Sequence, residues 1–210
     1  MINFDTTLYF ITDSTGFTEN DFLFRIEEAL KGGATIIQLR EKEKSTKEYV
    51  ELADKVHRLT QEHNVPLIID DRVDVALAID AEGVHIGRND MPVATSRKLM
   101  GKDKIVGATV KNVSEARNAY LEGADYLGVG AIYPTTTKVK TIITSTDTLH
   151  NICNSVPIPV NAIGGLNKEN IKILKGIPIA GICVVSAIMK ADNPKKEANE
   201  LLHLVKELIK

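Results

Sequence analysis

The chain has 210 residues, of which 43% are hydrophobic and 26% are charged, and its formal net charge is -2. This composition is typical of a globular protein with a sizeable core and excludes a disordered chain. The small net charge gives the surface as a whole no reason to bind nucleic acid or an acidic membrane, so any anion site must be a local cluster. The first residues do not combine a cationic start with an apolar run, and the sequence contains no apolar run of about 18 residues. We therefore expect neither a signal peptide nor a membrane span.

Apolar runs typical of strands alternate with amphipathic stretches typical of helices along the whole chain. The predicted strands cover residues 8–13, 35–40, 66–70, 83–87, 104–110, 126–132, 157–165 and 181–188. The predicted helices cover residues 21–32, 46–63, 73–79, 95–101, 114–123, 146–153, 168–175 and 194–209. Eight strand and helix pairs in 210 residues predict an α/β fold, a single-domain (β/α)8 TIM barrel over 1–210. A doubly wound parallel sheet is the alternative.

The second predicted strand changes from apolar to cationic along one face. Because successive side chains of a strand alternate, Gln38, Arg40 and Lys42 share that face. Functional residues of a barrel lie at the carboxyl ends of its strands, so we expect these three side chains in the barrel mouth. An amide and two cations there suit a phosphate or diphosphate. The alternative is a solvated strand end that pairs with the neighbouring glutamates.

Carboxylates follow the next two predicted strands. Asp70 and Asp71 end the third strand, and Asp90 lies in the loop after the fourth. Adjacent carboxylates repel unless a cation joins them, and Mg2+ is the usual cation where phosphates also bind. The alternative for at least one of the adjacent pair is to cap the following helix. His85, within the fourth strand, is interpreted as a packed core histidine.

Two later segments have the composition of anion sites. The stretch "GAIYPTTTKVK" (130–140) offers threonine hydroxyls and Lys138, which suit a diphosphate, although a solvated loop has the same composition. The stretch "NAIGGLNKENI" (161–171) runs through two glycines into a predicted helix, and Ser186 ends the eighth predicted strand. Barrels often bind phosphate between the loops after strands seven and eight, so these residues predict a second anion site.

Five stretches together resemble one known family. They are "QLREK", "IIDDRVDVALAIDAEGVHIGRND", "DYLGVGAIYPTTTK", "AIGG" and "VVSAI", and their order and spacing across nearly the whole chain look like thiamine-phosphate synthase. The resemblance implies a (β/α)8 barrel transferase. Such an enzyme joins hydroxymethylpyrimidine diphosphate to thiazole phosphate and releases pyrophosphate and thiamine phosphate. The attacking thiazole nitrogen carries no proton, so no general base is expected.

The resemblance also implies roles for individual positions. Asp71 and Asp90 would ligate Mg2+ as the cofactor. The residues expected to stabilise the departing diphosphate, and so to be catalytic, are Arg40, Lys42, Thr109 and Lys138. The expected substrate-binding residues are Gln38, Arg40, Lys42, Asp70, Thr109, Thr135, Thr137, Lys138, Gly165, Val185 and Ser186.

Three positions depart from the family pattern. Thr109 stands where the family commonly has Ser, Lys111 where it commonly has His, and Asp70 where it commonly has Asn. Thr109 keeps a hydroxyl donor, and Asp70 adds a negative charge beside the metal and diphosphate. Two alternatives remain open: a thiazole tautomerase paralogue, whose working histidine would fall at position 111, and a non-catalytic sensor of thiazole phosphate or thiamine phosphate.

The remaining polar residues indicate compartment and partners. Cys153 and Cys183 are isolated and lack metal-ligand spacing, which predicts reduced thiols in a cytoplasmic protein. The expected partners are the two small-molecule substrates, and the sequence leaves a homo-oligomer open. The other histidines fall on helical patterns, where we expect solvated side chains: His57, His63, His150 and His203.

Overall fold

The computed structural model describes residues 4–134 and 143–210. Within these residues, eight parallel strands close into a barrel in chain order, from β1 to β8. The strands are β1 (Leu8–Ile11), β2 (Ile36–Leu39), β3 (Leu67–Asp70), β4 (Gly83–Ile86), β5 (Ile105–Val110), β6 (Tyr126–Gly130), β7 (Val160–Ile163) and β8 (Gly181–Val184). The predicted (β/α)8 barrel is therefore confirmed, and the doubly wound alternative is wrong because β1 pairs directly with β8.

An α-helix follows each of the first six strands, and two α-helices follow β8. They are α1 (Glu19–Lys31), α2 (Thr46–Glu62), α3 (Val73–Ala78), α4 (Val93–Met100), α5 (Val113–Leu121), α6 (Thr146–Cys153), α7 (Ser186–Met189) and α8 (Pro194–Leu208). Side-chain hydrogen bonds cap the N-termini of several of these helices. The Ser45 hydroxyl accepts from the backbone N–H of Glu48 while the Glu48 carboxylate accepts from the Ser45 backbone, a capping box that begins α2.

The core has two layers, as the alternation of strand side chains requires. The inner layer fills the barrel and consists of Tyr9, Ile11, Ile36, Ile68, Ile105, Tyr126 and Cys183. The outer layer joins the strands to the helices, and it includes Phe10, Ile37 and Leu39. Ile36 and Ile37 thus lie on opposite faces of β2, which puts Gln38 on the inner face, as predicted.

Two predicted elements differ from the structure. Residues 168–175 contain a short 3-10 helix, Ile171–Leu174, in place of an α-helix. The side-chain oxygen of Asn167 accepts from the backbone N–H groups of Glu169 and Asn170, at 3.0 and 3.1 Å, as an N-cap residue does. The backbone bonds that follow, from Ile173 to Asn170 and from Lys175 to Lys172, span three residues, which defines the 3-10 helix. The predicted strand 181–188 ends at Val184, and Ser186 is the first residue of α7.

A search of the described ranges, 4–134 and 143–210, found no helix with the length and apolar character needed to cross a membrane.

Candidate active site

Two cations meet two carboxylates where β2 and β3 end. Lys42 lies beyond the end of β2, and its Nζ is 2.9 Å from Oδ2 of Asp70 and also pairs with the carboxylate of Asp71. The Nε of Arg40 lies 3.6 Å from the same oxygen of Asp70. The register explains the meeting, because Gln38 is opposite Ile68 and the chains continue side by side to Arg40 and Asp70.

This cluster partly matches the sequence prediction. The expected cationic group is present at the barrel mouth, and Asp70 and Asp71 share the space with it. The expectation that one of these carboxylates caps the next helix is wrong. Arg72 is the N-cap residue of α3, and no side chain among residues 4–134 and 143–210 caps the start of that helix. Asp71 instead adopts a left-handed backbone conformation, with φ 62°, and directs its carboxylate to Lys42.

Asp90 and Asp71 approach one another over Gly87, just after β4. The Oδ2 of Asp90 accepts from the backbone N–H of Gly87 at 2.9 Å. A Cβ atom at Gly87 would collide with that oxygen and would lie 3.6 Å from Oδ1 of Asp71, so glycine allows both carboxylates to lie close to the backbone of this turn. Among the described residues, no three His, Cys, Asp or Glu side chains group as a metal site. Two carboxylates beside the same turn still suit a hard cation that takes its other oxygens from substrate and water.

A line of hydrogen bonds crosses the barrel interior below this mouth. Gln38 Nε2 donates to the Tyr9 hydroxyl at 2.8 Å, and the hydroxyls of Tyr9 and Tyr126 are 2.6 Å apart. The Tyr126 hydroxyl lies 3.0 Å from Nδ1 of His85, and Nε2 of His85 lies 2.8 Å from Oγ1 of Thr109. We call Gln38, Tyr9, Tyr126, His85 and Thr109 the interior chain. It links two predicted substrate-binding residues, Gln38 and Thr109, through side chains of five strands.

Burial keeps the two phenols of the interior chain protonated. Tyr9 and Tyr126 are 1% and 0% exposed, and this burial raises the pKa of each hydroxyl well above its usual value. His85 is buried in the barrel as predicted, but sequence reasoning missed both tyrosines. Alternation in "LYFI" and "YLGVG" points their side chains inward, and a buried hydroxyl needs a partner, so a signal for the chain was present.

Lys111 and Thr144 both donate to the carbonyl oxygen of Gly130 at the end of β6. The Thr144 hydroxyl is 2.9 Å from that oxygen, and Lys111 reaches it through Nζ. Two donors on one carbonyl fix the end of β6 directly before the threonine-rich segment. The position where the family commonly has His therefore holds a cation that contacts the backbone of the neighbouring strand.

The predicted second anion site lies where β7 and β8 end. Ile163 is opposite Cys183, so Gly165 and Val185 lie two residues further along neighbouring chains. Gly165 has a left-handed backbone, with φ 66°, and its carbonyl oxygen accepts from the side chain of Asn170 at 2.8 Å. Ser186 is exposed and begins α7. The helix predicted directly after the two glycines is not there, since the 3-10 helix begins only at Ile171.

Three predicted site residues, Thr135, Thr137 and Lys138, lie outside the described residues. Among the other histidines, the expectation for His57 is wrong. Its side chain is buried, and its Nε2 lies 3.0 Å from Oε1 of Glu82. His150 and His203 are exposed and His63 is half-buried.

The fold and the mouth together define a barrel enzyme with the groups needed to handle phosphates: cations, paired carboxylates and a hydroxyl at the carboxyl ends of parallel strands. Comparisons with known proteins agree. A family model described as thiamine monophosphate synthase matches residues 8–188, and the chain belongs to that family. This confirms the resemblance found in the sequence.

Relatives match nearly end to end. A thiamine-phosphate synthase of Methanobrevibacter smithii is 50% identical over 202 residues, which cover 96% of each chain. One from Clostridium acetobutylicum is 48% identical over 207 residues, covering 99% of this chain and 98% of the relative. Among solved structures, thiamine phosphate pyrophosphorylase from Pyrococcus furiosus superposes with a TM-score of 0.88 at 40% identity, over 98% of both chains.

Proposed function

We propose that this barrel joins hydroxymethylpyrimidine diphosphate to thiazole phosphate, giving thiamine phosphate and pyrophosphate. Near end-to-end similarity to thiamine-phosphate synthases supports the activity. The structural observation that carries the proposal is the meeting of Arg40 and Lys42 with Asp70 and Asp71 at one side of the mouth. Such a set can bind a diphosphate and a divalent cation together.

The substrate positions divide between two sides of the mouth. Gln38, Arg40 and Lys42, with Thr109, would hold the pyrimidine diphosphate, and Asp70 would lie against it as the carboxylate partner of the two cations. Gly165, Val185 and Ser186, after β7 and β8, would hold the thiazole phosphate, largely through backbone N–H groups. The remaining proposed contacts come from residues that follow β6 in the sequence: Thr135, Thr137 and Lys138.

Asp71 and Asp90 would hold Mg2+ at the first side. The closeness of both carboxylates to Gly87 supports this assignment, because an ion held by two carboxylates can also bind substrate oxygens and water. When bound, the ion supplies positive charge to the diphosphate oxygens.

The proposed chemistry is the departure of pyrophosphate from the pyrimidine methylene, which becomes cation-like and is attacked by the thiazole nitrogen. Arg40, Lys42, Thr109 and Lys138 would act on the leaving group, because negative charge builds up on it as its bond to the methylene breaks. The nitrogen nucleophile has no proton to lose, so the reaction needs no general base. Preorganised donors at the leaving group are therefore the main catalytic contribution of the chain.

Compartment and domain organisation complete the proposal. We place the enzyme in the cytoplasm, with residues 1–210 as one catalytic domain. Both cysteines are free thiols, Cys183 buried and Cys153 partly buried, which fits a reducing compartment. Burial raises the pKa of Cys153 to about 11 and raises that of Cys183 further, so neither thiol is a reactive thiolate near neutral pH.

The test is an assay of the purified chain with both substrates, with and without Mg2+, that follows thiamine phosphate and pyrophosphate together. We expect both products in equal amounts and only with the metal. Tight binding of thiazole phosphate without any product would instead support the tautomerase or sensor alternative.

A further inference from the structure

The interior chain has a direction, because each of its hydroxyl groups has one proton to donate. The Tyr9 oxygen accepts from Gln38 Nε2, so the Tyr9 proton goes to Tyr126. The Tyr126 proton then goes to Nδ1 of His85. Within residues 4–134 and 143–210, neither tyrosine hydroxyl has another hydrogen-bond partner that would allow a different order.

The direction of the chain sets the state of Thr109. A neutral imidazole that accepts at Nδ1 carries its proton on Nε2, which then donates to Oγ1 of Thr109. The Thr109 hydroxyl, half-buried at the mouth, thus keeps its own proton for an acceptor outside the chain. If the amide of Gln38 were turned over, every bond would reverse, and Thr109 would donate to His85 and present only lone pairs to the mouth.

Only one of the two directions suits an anion. Phosphate oxygens accept hydrogen bonds, so a diphosphate at the mouth needs the Thr109 proton to point outward. The structure has the direction that provides it, since the amide nitrogen of Gln38 faces Tyr9. The same direction leaves the side-chain carbonyl oxygen of Gln38 as an acceptor at the other end of the chain.

We propose that Tyr9, Tyr126 and His85 are positioning residues that orient the amide of Gln38 and direct the hydroxyl proton of Thr109 toward the departing diphosphate. This inference rests on the proposed function for the identity of the anion. The three residues need not touch substrate. They preorganise one donor and one acceptor inside a buried network, where reorientation at the moment of reaction would be costly.

Packing around Tyr126 holds the chain in place. Its ring stacks on His85 with centroids 5.6 Å apart and meets the edges of Tyr9 and Phe4 at 5.6 and 5.9 Å. Gly107 on β5 makes this possible, because a Cβ atom there would overlap the phenol end of the Tyr126 ring. The hydroxyl can therefore be deleted by Tyr126→Phe while the ring contacts remain.

The first test reads the direction without any turnover. In protein labelled with 15N-histidine, the ring nitrogen resonances distinguish a protonated nitrogen from an acceptor. The His85 signals are identified as those that move in Tyr126→Phe. We expect His85 to carry its proton on Nε2 with Nδ1 as the acceptor. Protonation of Nδ1 in the wild-type protein would overturn the proposal, whatever the enzyme catalyses.

The second test is a double-mutant cycle between Tyr126→Phe and Thr109→Val, measured as kcat/KM for the pyrimidine diphosphate. A hydrogen bond to a charged group contributes enough to change rates about tenfold or more, so we expect each single variant to lose at least that much. Because Tyr126 acts through Thr109, we expect Tyr126→Phe to cost less than about threefold in the Thr109→Val background. An equal cost in both backgrounds would mean that Tyr126 acts only through packing and would overturn the proposal.

A matched control and a binding assay separate the possible failures. Thr60→Val deletes a buried hydroxyl on α2 that donates to the backbone oxygen of His57, away from the interior chain, so the cost of Tyr126→Phe should be unchanged in that background. If Tyr126→Phe does not fold, Tyr9→Phe interrupts the chain one step earlier, and its cost should fall in the Thr109→Val background to the part that comes from the lost partner of Gln38. The dissociation constant for pyrophosphate, measured with Mg2+ in the same set of variants, gives the double-mutant cycle a readout independent of turnover. The wild-type protein could make no thiamine phosphate while the effects of Tyr126→Phe and Thr109→Val on pyrophosphate binding are still coupled. That result would contradict the proposed function and support the proposed role of the interior chain. Wild-type protein that does not bind pyrophosphate would overturn the role of Thr109.

Discussion

The Nζ of Lys42 lies 2.9 Å from Oδ2 of Asp70, so a cation proposed to bind the diphosphate already has a carboxylate partner. Arg40 approaches the same oxygen, at 3.6 Å. Asp70 is buried at the end of β3, where solvent screens its charge poorly. A diphosphate that binds to the two cations must therefore share them with this carboxylate.

Asp70→Asn should strengthen binding of the pyrimidine diphosphate. The substitution keeps the size of the side chain and removes a negative charge beside an anionic substrate. A gain of about 1 kcal/mol from that removal would lower KM for the pyrimidine diphosphate about fivefold. Steady-state kinetics at saturating Mg2+ and thiazole phosphate would measure it. Asp74→Asn is the matched control, because Asp74 is exposed on α3 and pairs with Arg72. A KM that rises in Asp70→Asn would show that the carboxylate helps to hold the substrate, and an unchanged KM would show that its charge does not oppose binding.

Arg40→Ala should reduce turnover far more than it reduces stability. Loss of a donor that stabilises charge in the transition state typically costs about 2.7–4 kcal/mol, or roughly a hundredfold or more in kcat. Arg58→Ala provides the control, since Arg58 is exposed on α2 and pairs with Asp54 within the same helix. Comparison of kcat and thermal unfolding for both variants would check the prediction. Turnover within about threefold of the wild-type value in Arg40→Ala would remove Arg40 from the leaving-group site.

Asp71→Asn should raise the Mg2+ concentration needed for half-maximal activity by about tenfold or more, as loss of a group that supports a metal ion commonly does. Asn is preferable to Ala here, because the left-handed backbone at φ 62° is tolerated by Asn and strained for Ala. The measurement is a Mg2+ titration of initial rates, with Asp74→Asn as the control. A titration curve that coincides with that of the wild-type protein would exclude Asp71 as a metal ligand.

Periodicity alone could predict the eight strands and the inward position of Gln38. Barrel strands are short apolar runs, and the alternation of Ile36 and Ile37 between the two core layers follows from strand geometry. The boundaries were harder to predict. Apolar residues continue from β8 into α7, so hydropathy could not show that the backbone leaves the strand at Val185. At 168–175, the apolar positions suit an α-helix and a 3-10 helix alike, so hydropathy could not show that the backbone bonds would span three residues.

The sequence predicted which residue types occupy the site, but it did not predict which side chains pair with one another. Cations and carboxylates at strand ends could be located from the sequence, but the pairing of Lys42 with both Asp70 and Asp71 depends on side-chain rotamers. The contact between Tyr9 and Tyr126 joins residues 117 positions apart, and it forms only because β1 and β6 face each other across a closed barrel. Patterns within a short stretch of sequence cannot predict a contact between residues so far apart in the chain.

The wrong expectation for His57 leads to a prediction about stability. Glu82 uses one carboxylate oxygen for Nε2 of His57, at 3.0 Å, and the other for the backbone N–H of Leu67, at 2.8 Å, where β3 begins. Glu82→Ala would leave the buried imidazole and that N–H without these partners. We expect the free energy of unfolding to fall by about 1–2 kcal/mol and Tm to fall by about 2–8 °C. Glu122→Ala, at an exposed position after α5, should leave Tm nearly unchanged. Because Glu82 precedes β4, at the end of the barrel opposite the mouth, kcat of the folded variant should match that of the wild-type protein. Equal Tm values for Glu82→Ala and Glu122→Ala would show that water replaces both hydrogen bonds without a net cost.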